Sequence, residues 1–176
     1  MTESSSTRPA TIPAPGTFRL DPDRTTIRVD GKGMFGLIPV HGTMRLGSGE
    51  VTIADDPGRS SVRAVIDAAS YSSGNSRRDK DVTSSNLLDA QAYPEIAFRG
   101  EGARAQGGGW VVPGTVTAHG VSVPTELTID DVRTEDGAIR FHAVATLDRT
   151  QFGVTKMKAM VARTVNVIID AVAIPV

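Results

Sequence analysis

The chain has 176 residues, of which 39% are hydrophobic and 22% are charged, and its formal net charge is −1. This length suits one domain built around a single hydrophobic core. The near-zero net charge provides no overall basic field that would attract nucleic acid or an anionic membrane. The sequence contains no cysteine, which excludes disulfides, thiol catalysis and thiolate metal sites.

The first sixteen residues, MTESSSTRPATIPAPG, are rich in Ser, Thr and Pro, and they have no apolar run of the kind found in signal peptides. They predict a disordered leader over 1–16, followed by a single folded domain over 17–176. No stretch of the sequence approaches the ~20 consecutive apolar residues of a membrane-spanning helix. We therefore expect a soluble, cytoplasmic protein.

Alternation of apolar and polar residues with a period of two recurs along the rest of the chain and predicts β-strands. The runs lie at 27–29, 40–46, 51–53, 62–68, 96–98, 110–118, 125–132, 138–147 and 164–173. Turn sequences separate them, among them Gly47-Ser48-Gly49 and Glu135-Asp136-Gly137. The pattern predicts an all-β fold of about eight antiparallel strands, and it is compatible with either a closed barrel or a sandwich.

The segment from Ser70 to Arg99 interrupts this pattern with a dense run of charged and polar residues. Asn75 or Ser76 can cap a short helix there. We interpret the segment as a crossover that closes one end of the barrel, with Leu87, Leu88 and Tyr93 plugging the interior.

Arg77, Arg78 and Asp79 in this segment have two interpretations. In the first, they anchor the crossover, with Asp79 paired to Arg78 or Arg149. Arg149 then reaches either a carbonyl group or Asp79. In the second, the guanidinium groups bind a pyrophosphate or a carboxylate at the mouth of the lumen.

Candidates for catalysis are few. His41, His119 and His142 each lie in a strand pattern without a second ligand at metal-binding spacing. His119 is better interpreted as a hydrogen-bonding residue that fixes a strand end. The sequence has no GxSxG, Walker or GxGxxG motif. We therefore expect no enzyme activity, no catalytic residue, no metal site and no cofactor.

Four motifs in order carry a family resemblance. They are GMFGLIPVHGTM (33–44), SGNSRRDKDVTSSNLLDAQAYPEIAF (73–98), GTVTAHGVSVPTEL (114–127) and LDRTQFGV (147–154). Together they resemble the YceI-like family of polyisoprenoid-binding proteins, from about Phe18 to Ala173. The resemblance implies an all-β, eight-stranded antiparallel lipocalin-like barrel with a short helical crossover. It also implies an apolar lumen for an isoprenoid chain, such as a polyprenyl phosphate or an isoprenoid quinone tail, and a stress-related role.

The sequence departs from the family pattern at three polar positions. Arg24-Thr25 stands where relatives carry His-Ser, and Gly33 and Asp81 each stand where relatives carry His. These departures leave the lumen assignment intact but weaken the case for a shared head-group chemistry.

The inward-facing residues give the expected ligand-binding set. Its members are Ile27, Met34, Phe35, Met44, Ile66, Phe98, Val116, Phe141, Leu147, Phe152, Met157, Met160 and Val167. Small inward residues such as Gly42 and Gly114, with an aromatic content of 5%, leave room for a cavity. Plain core packing is an equal alternative for every member of the set.

We expect binding, carriage or sequestration of an isoprenoid or other fatty, lipid-like ligand. Lys156 and Lys158 either meet an anionic head group or are simply solvated. The alternative function is a ligand-free structural or protein-interaction module of the same fold. A homodimer is compatible with either function.

Overall fold

The computed structural model describes residues 12–33, 37–157 and 162–176. Its regular structure is almost entirely β-strand. The strands are β1 (Gly16–Leu20), β2 (Thr26–Gly33), β3 (Ile38–Ile53), β4 (Ser61–Ser72), β5 (Glu95–Glu101), β6 (Arg104–Gln106), β7 (Gly109–Ala118), β8 (Val121–Glu135), β9 (Ala138–Asp148) and β10 (Thr164–Pro175). One helix, α1 (Ser76–Thr83), and 3₁₀ turns at Pro57–Arg59 and Arg149–Phe152 accompany them.

The strands close into a barrel. Neighbouring strands follow the order β2-β3-β4-β5-β7-β8-β9-β10, and β10 pairs with β9 on one side and with β2 on the other. Ile169 of β10 lies opposite both Ala143 and Ile27. The predicted eight-stranded antiparallel barrel is therefore confirmed, and a sandwich is excluded because the circuit of backbone hydrogen bonds is complete.

Two short strands together occupy one of the eight strand positions in the barrel wall. β1 and β2 lie end to end between β10 and β3, so Phe18 pairs with Pro175 while Ile27 pairs with Ile169. At the break between them, the buried Thr25 hydroxyl accepts a hydrogen bond from the Val172 amide at 3.2 Å. Thr25, one of the departures from the family pattern, thus has a structural role. β5 and β6 share another position along β7 in the same way.

β3 runs without interruption through Gly47-Ser48-Gly49, where the sequence predicted a turn. That prediction was wrong, because the pairing with β4 shifts its register between Leu46 and Ser48 and forms a β-bulge. A Cβ atom on Gly49 would lie 2.4 Å from Cδ1 of Leu20. Glycine is therefore needed here to admit a core side chain and not to reverse the chain.

The predicted short helix is present, and Asn75 caps it by accepting a hydrogen bond from the Arg78 amide at 3.1 Å. Asp79 does not pair with Arg78 or Arg149 as predicted. Its carboxylate accepts hydrogen bonds from the amide and hydroxyl of Ser73, which lies within reach just before the helix. Among the described residues, no helix is long and apolar enough to cross a membrane.

The two ends of the barrel carry different connections. The helix end is the end that carries α1 and the β2–β3 and β7–β8 turns. The cavity end is the opposite end, which carries the β3–β4 connection and the β8–β9 turn.

Small inward residues do not leave the interior empty at Gly42 and Gly114. A Cβ atom on Gly42 would lie 2.3 Å from the ring of Tyr71, and one on Gly114 would lie 2.7 Å from the ring of Phe98. The glycines therefore make room for aromatic rings of this chain. Because the Tyr71 ring is partly buried in this space, desolvation raises the pKa of its hydroxyl group.

Candidate functional site

An apolar cavity of about 80 Å³ lies at the cavity end of the barrel. Its walls come from the end of β3, the start of β4, and β7, β8 and β9. The lining residues are Ile12, Pro13, Val51, Ile53, Ala54, Pro57, Ser60, Ser61, Val62, Ala103, Trp110, Val112, Ile129, Val132, Ile139 and Phe141. The Ser60 hydroxyl accepts a hydrogen bond from the Ala54 amide at 3.1 Å, so one of the two polar side chains is already engaged locally.

The rim of the cavity includes residues that precede the barrel. Ile12 and Pro13 lie on the cavity, and 58% of Ile12 is exposed. They stand before β1, which begins at Gly16. The segment leading into the barrel therefore lies against the mouth of the cavity.

Trp110 and Phe141 are the aromatic residues of the cavity wall. Trp110 is the single tryptophan in the chain. Phe141 also packs against the buried clusters around Ile27 and around Val112. Its ring therefore contacts both the cavity and the side chains packed in the middle of the barrel.

The structure distributes the predicted ligand-binding residues over the interior. The cluster of Ile27, Met44 and Ile66 fills the middle of the barrel, with Phe98, Phe141 and Val167 packed against it. The cluster of Val116 and Phe152 lies nearer the helix end, with Phe98, Leu147 and Met157 packed against it. Of the described members, Phe141 alone borders the cavity. Met34, Phe35 and Met160 lie outside the described residues.

The expected ligand-binding set leaves out most of the cavity wall, including Trp110, Val112, Ile129 and Ile139. A signal was present, because Val112 shares the inward face of β7 with Val116, and Ile139 shares that of β9 with Phe141. Alternation identifies which side chains point inward. It does not show where along the barrel the interior is left unfilled.

The helix end is closed by the crossover, as predicted. Leu87 is 5% exposed and packs with Val116 and Phe152, while Leu88 packs against the central cluster. Tyr93 is not part of this plug. It is 37% exposed, and its ring packs against His119 at a tilt of 51° with centroids 4.9 Å apart.

A buried arginine also organises the helix end. The Arg149 guanidinium donates hydrogen bonds to the carbonyl oxygens of Val154 at 2.8 Å, Ala162 at 2.9 Å and Lys156 at 3.0 Å. This confirms the predicted carbonyl partner and not Asp79. Burial lowers the pKa of the Arg149 guanidinium, and the adjacent Asp148 opposes that shift. The charge is retained at neutral pH, so its role is to hold the β9–β10 connection in place.

Charged residues next to the cavity are paired with each other. Arg140 Nε lies 2.8 Å from Glu135, and Arg133 lies 3.5 Å from the same carboxylate and 3.8 Å from Asp131. Nε of Arg140 is buried and does not have hydrogen-bond geometry towards Glu135. The two groups therefore form an ion pair without a directed hydrogen bond. These cations are therefore already neutralised by neighbouring carboxylates.

The three histidines have separate partners. Nδ1 of His41 lies 2.7 Å from a carboxylate oxygen of Asp30, and Nδ1 of His142 lies 2.9 Å from a carboxylate oxygen of Asp170. The same atom of His119 lies 3.2 Å from the Phe152 carbonyl oxygen, which fixes the turn after β7. In the described part of the chain, no group of three His, Asp or Glu side chains is placed to hold a metal ion.

Comparison with known proteins identifies relatives across most of the chain. A UPF0312 protein of Pseudomonas putida strain GB-1 is 28% identical over 145 residues, which cover 78% of this chain and 76% of the relative. A UPF0312 protein of Vibrio parahaemolyticus is 34% identical over 84 residues, which cover 47% of this chain and 42% of the relative.

Solved structures share the fold. BcnA of Burkholderia cenocepacia matches with a TM-score of 0.76 at 22% identity, over 87% of this chain and 98% of that protein. A polyisoprenoid binding domain from Saccharophagus degradans matches with a TM-score of 0.68 at 13% identity, over 93% of this chain and 100% of that domain. The YceI-like domain model matches residues 18–173. The chain therefore belongs to the YceI-like family.

Proposed function

We propose that the barrel binds a long apolar lipid of the isoprenoid class, which enters at the cavity end. The observation that carries this proposal is the apolar cavity bordered by Trp110 and Phe141. Burying hydrocarbon there is favourable by roughly 0.8 kcal/mol for each CH₂ group. Family membership supports the same class of ligand, since one structural relative is described as a polyisoprenoid binding domain.

The size of the cavity sets a condition on binding. Its volume of about 80 Å³ is small beside the roughly 300–1,000 Å³ of typical ligand pockets. A full isoprenoid chain therefore needs the interior to open further. Rotation of the Phe141 ring would enlarge the cavity towards the middle of the barrel, because this ring contacts both.

The activity that fits these features is binding, carriage or sequestration without a chemical step. A quinone tail is compatible with a cavity wall that is almost wholly apolar. The cytoplasmic location, the stress-related role and the homodimer remain predictions.

Trp110 provides a direct test, because it is the single tryptophan and lies on the cavity wall. Titration with farnesol, a short isoprenoid alcohol, is expected to change the Trp110 fluorescence with saturation. Native mass spectrometry of the same samples gives the stoichiometry. Mass spectrometry of freshly purified protein identifies any lipid that is carried through purification.

Two variants in which phenylalanine replaces an alanine distinguish binding in the cavity from binding on the outer surface. Ala103→Phe fills the cavity from its rim, whereas Ala69→Phe places the same ring on an exposed position of β4. We expect the first to abolish farnesol uptake and the second to leave it unchanged. Equal uptake by both variants, or no uptake by the unmodified protein of farnesol or a longer isoprenoid quinone, would refute the proposal.

The second candidate, a ligand-free module of the same fold, is favoured by one observation. Most predicted lumen residues pack against each other and not against the cavity. This candidate expects the fluorescence of Trp110 to be insensitive to isoprenoids at every concentration.

A further inference from the structure

The helix end of the barrel displays apolar side chains at its surface. Leu37, in the turn that leads into β3, is 81% exposed, and Ile38, the first residue of β3, is 43% exposed. The exposed side chains of Tyr93 and Val121 belong to the same end. Single exposed apolar residues are ordinary, but several gathered at one end of a small domain indicate a surface that contacts something.

Basic residues lie beside this apolar turn. The Ala162 amide donates a hydrogen bond to the Lys32 carbonyl at 2.8 Å, which joins the β9–β10 connection to the end of β2. Arg149 holds the carbonyl groups of Ala162 and Lys156 in one cluster. Lys32 and Lys156 therefore belong to one corner of the helix end. Both side chains are exposed, and neither is in an ion pair with another described residue.

The cavity end has a different surface. Its connections carry Asp55, Asp56, Glu135 and Asp136, and its arginines Arg133 and Arg140 contact carboxylates. Lys32 and Lys156 form a local basic site, although the net charge of the whole chain is −1. An anionic surface would be attracted to this corner.

We propose that the helix end docks on an anionic phospholipid bilayer. Leu37 and Ile38 enter the boundary between head groups and acyl chains, and Lys32 and Lys156 contact lipid phosphates. A basic rim around exposed apolar side chains is the combination that peripheral membrane binding requires, since neither element holds a protein on a bilayer by itself. This docking does not depend on what the cavity binds.

The test uses the full chain with two kinds of vesicle. One kind is pure phosphatidylcholine and the other also contains phosphatidylglycerol. Co-sedimentation is expected with the anionic vesicles only, and it should fall as salt is added because the lysine contribution is screened. Replacing Lys32→Gln and Lys156→Gln together is expected to weaken binding about 25-fold, at about fivefold for each lysine. Leu37→Ser with Ile38→Ser should weaken it about tenfold.

Matched controls come from the cavity end. Val176→Ser removes an equally exposed apolar side chain, and Arg59→Gln removes an exposed cation. Neither should change vesicle binding. All four substituted positions of the helix end are exposed, so the melting temperature should be unchanged in every variant.

Three outcomes would overturn the proposal. They are equal binding to both vesicle types, equal losses in the controls, and a shift from dimer to monomer in the Leu37 and Ile38 variant without vesicle binding. The last outcome would assign the surface to a second copy of this chain. Isoprenoid uptake, followed through Trp110, is measured separately and is expected to be the same in all of these variants.

Discussion

The two ends of the barrel differ in how they are covered, although the same strands run between them. At the helix end, the long crossover between β4 and β5 inserts Leu87 and Leu88 into the interior. At the cavity end, the β8–β9 connection is a two-residue turn of Asp136 and Gly137, with φ angles of 51° and 81°. Such a turn reverses the chain but has no side chain long enough to cover an opening. The cavity lies at the end that has no long crossover to fill it.

The largest effect is expected from the buried cation of the helix end. Arg149→Met leaves three carbonyl groups without their charged donor, and we expect it to lower the free energy of unfolding by about 4 kcal/mol. Urea denaturation measures this loss. Arg163→Met is the control, because its side chain is 72% exposed and its removal should cost much less. Equal losses in the two variants would mean that Arg149 does not organise the end as described.

A somewhat smaller effect is expected from the plug. Leu87→Ala deletes a buried side chain and should cost about 3 kcal/mol, with the barrel otherwise intact. Tyr93→Ala, at an exposed position of the same crossover, should cost less. Farnesol uptake at the cavity end should be unchanged in folded Leu87→Ala. A change in uptake would show that the two ends are coupled.

At the cavity end, Phe141→Ala tests the boundary between the cavity and the middle of the barrel. Phe141 is only partly buried, so the expected cost is about 2 kcal/mol, below the range for a fully buried phenylalanine. The variant should take up isoprenoid more readily, because the cavity is enlarged. Fluorescence of Trp110 reports uptake, and reduced uptake by a folded variant would contradict the role given to Phe141.

The smallest effect is expected from Asp148 at the helix end, on how the melting temperature depends on pH. Hydrogen bonds from Thr150 lower the pKa of Asp148 below its usual 3.8, desolvation opposes the shift, and Arg163 adds to it. Because this pKa is lowered on folding, the ionised Asp148 carboxylate stabilises the folded state at neutral pH. This stabilisation is lost as the pH falls from 3.8 through the lower pKa of the folded state. The melting temperature of Asp148→Asn should therefore fall less between pH 7 and pH 3 than that of the unmodified protein. An identical fall would show that Asp148 contributes nothing to the acid dependence.

Much of the fold was predictable because strand alternation and local capping are short-range signals. The inward face of β7 and the Asn75 cap both follow from residues within a few positions of each other. The pairing of Asp79 with Ser73, in place of Arg78 or Arg149, shows the limit of guessing ion pairs from charge alone. Gly42 and Tyr71 are separated in sequence, so their contact could not be read from either residue's neighbours.

The position of the cavity was not predictable for a similar reason. Val112 and Val116 obey the same alternation, yet only Val112 borders the cavity. The difference depends on which connection covers each end of the barrel, and that is a property of the closed structure. The buried state of Arg149 also depends on closure, because its carbonyl partners come from the chain that returns to β10.

The pairing of the first and last strands has a consequence for how the protein is made. β10 contacts β1, β2 and β9, and the Val176 amide donates a hydrogen bond to the Thr17 carbonyl at 3.1 Å. During synthesis, the strand edges of β2 and β9 that pair with β10 therefore remain unpaired until β10 has left the ribosome. The barrel cannot form strand by strand as it is translated, and its closing step joins residues that are far apart in sequence, which is a slow kind of folding.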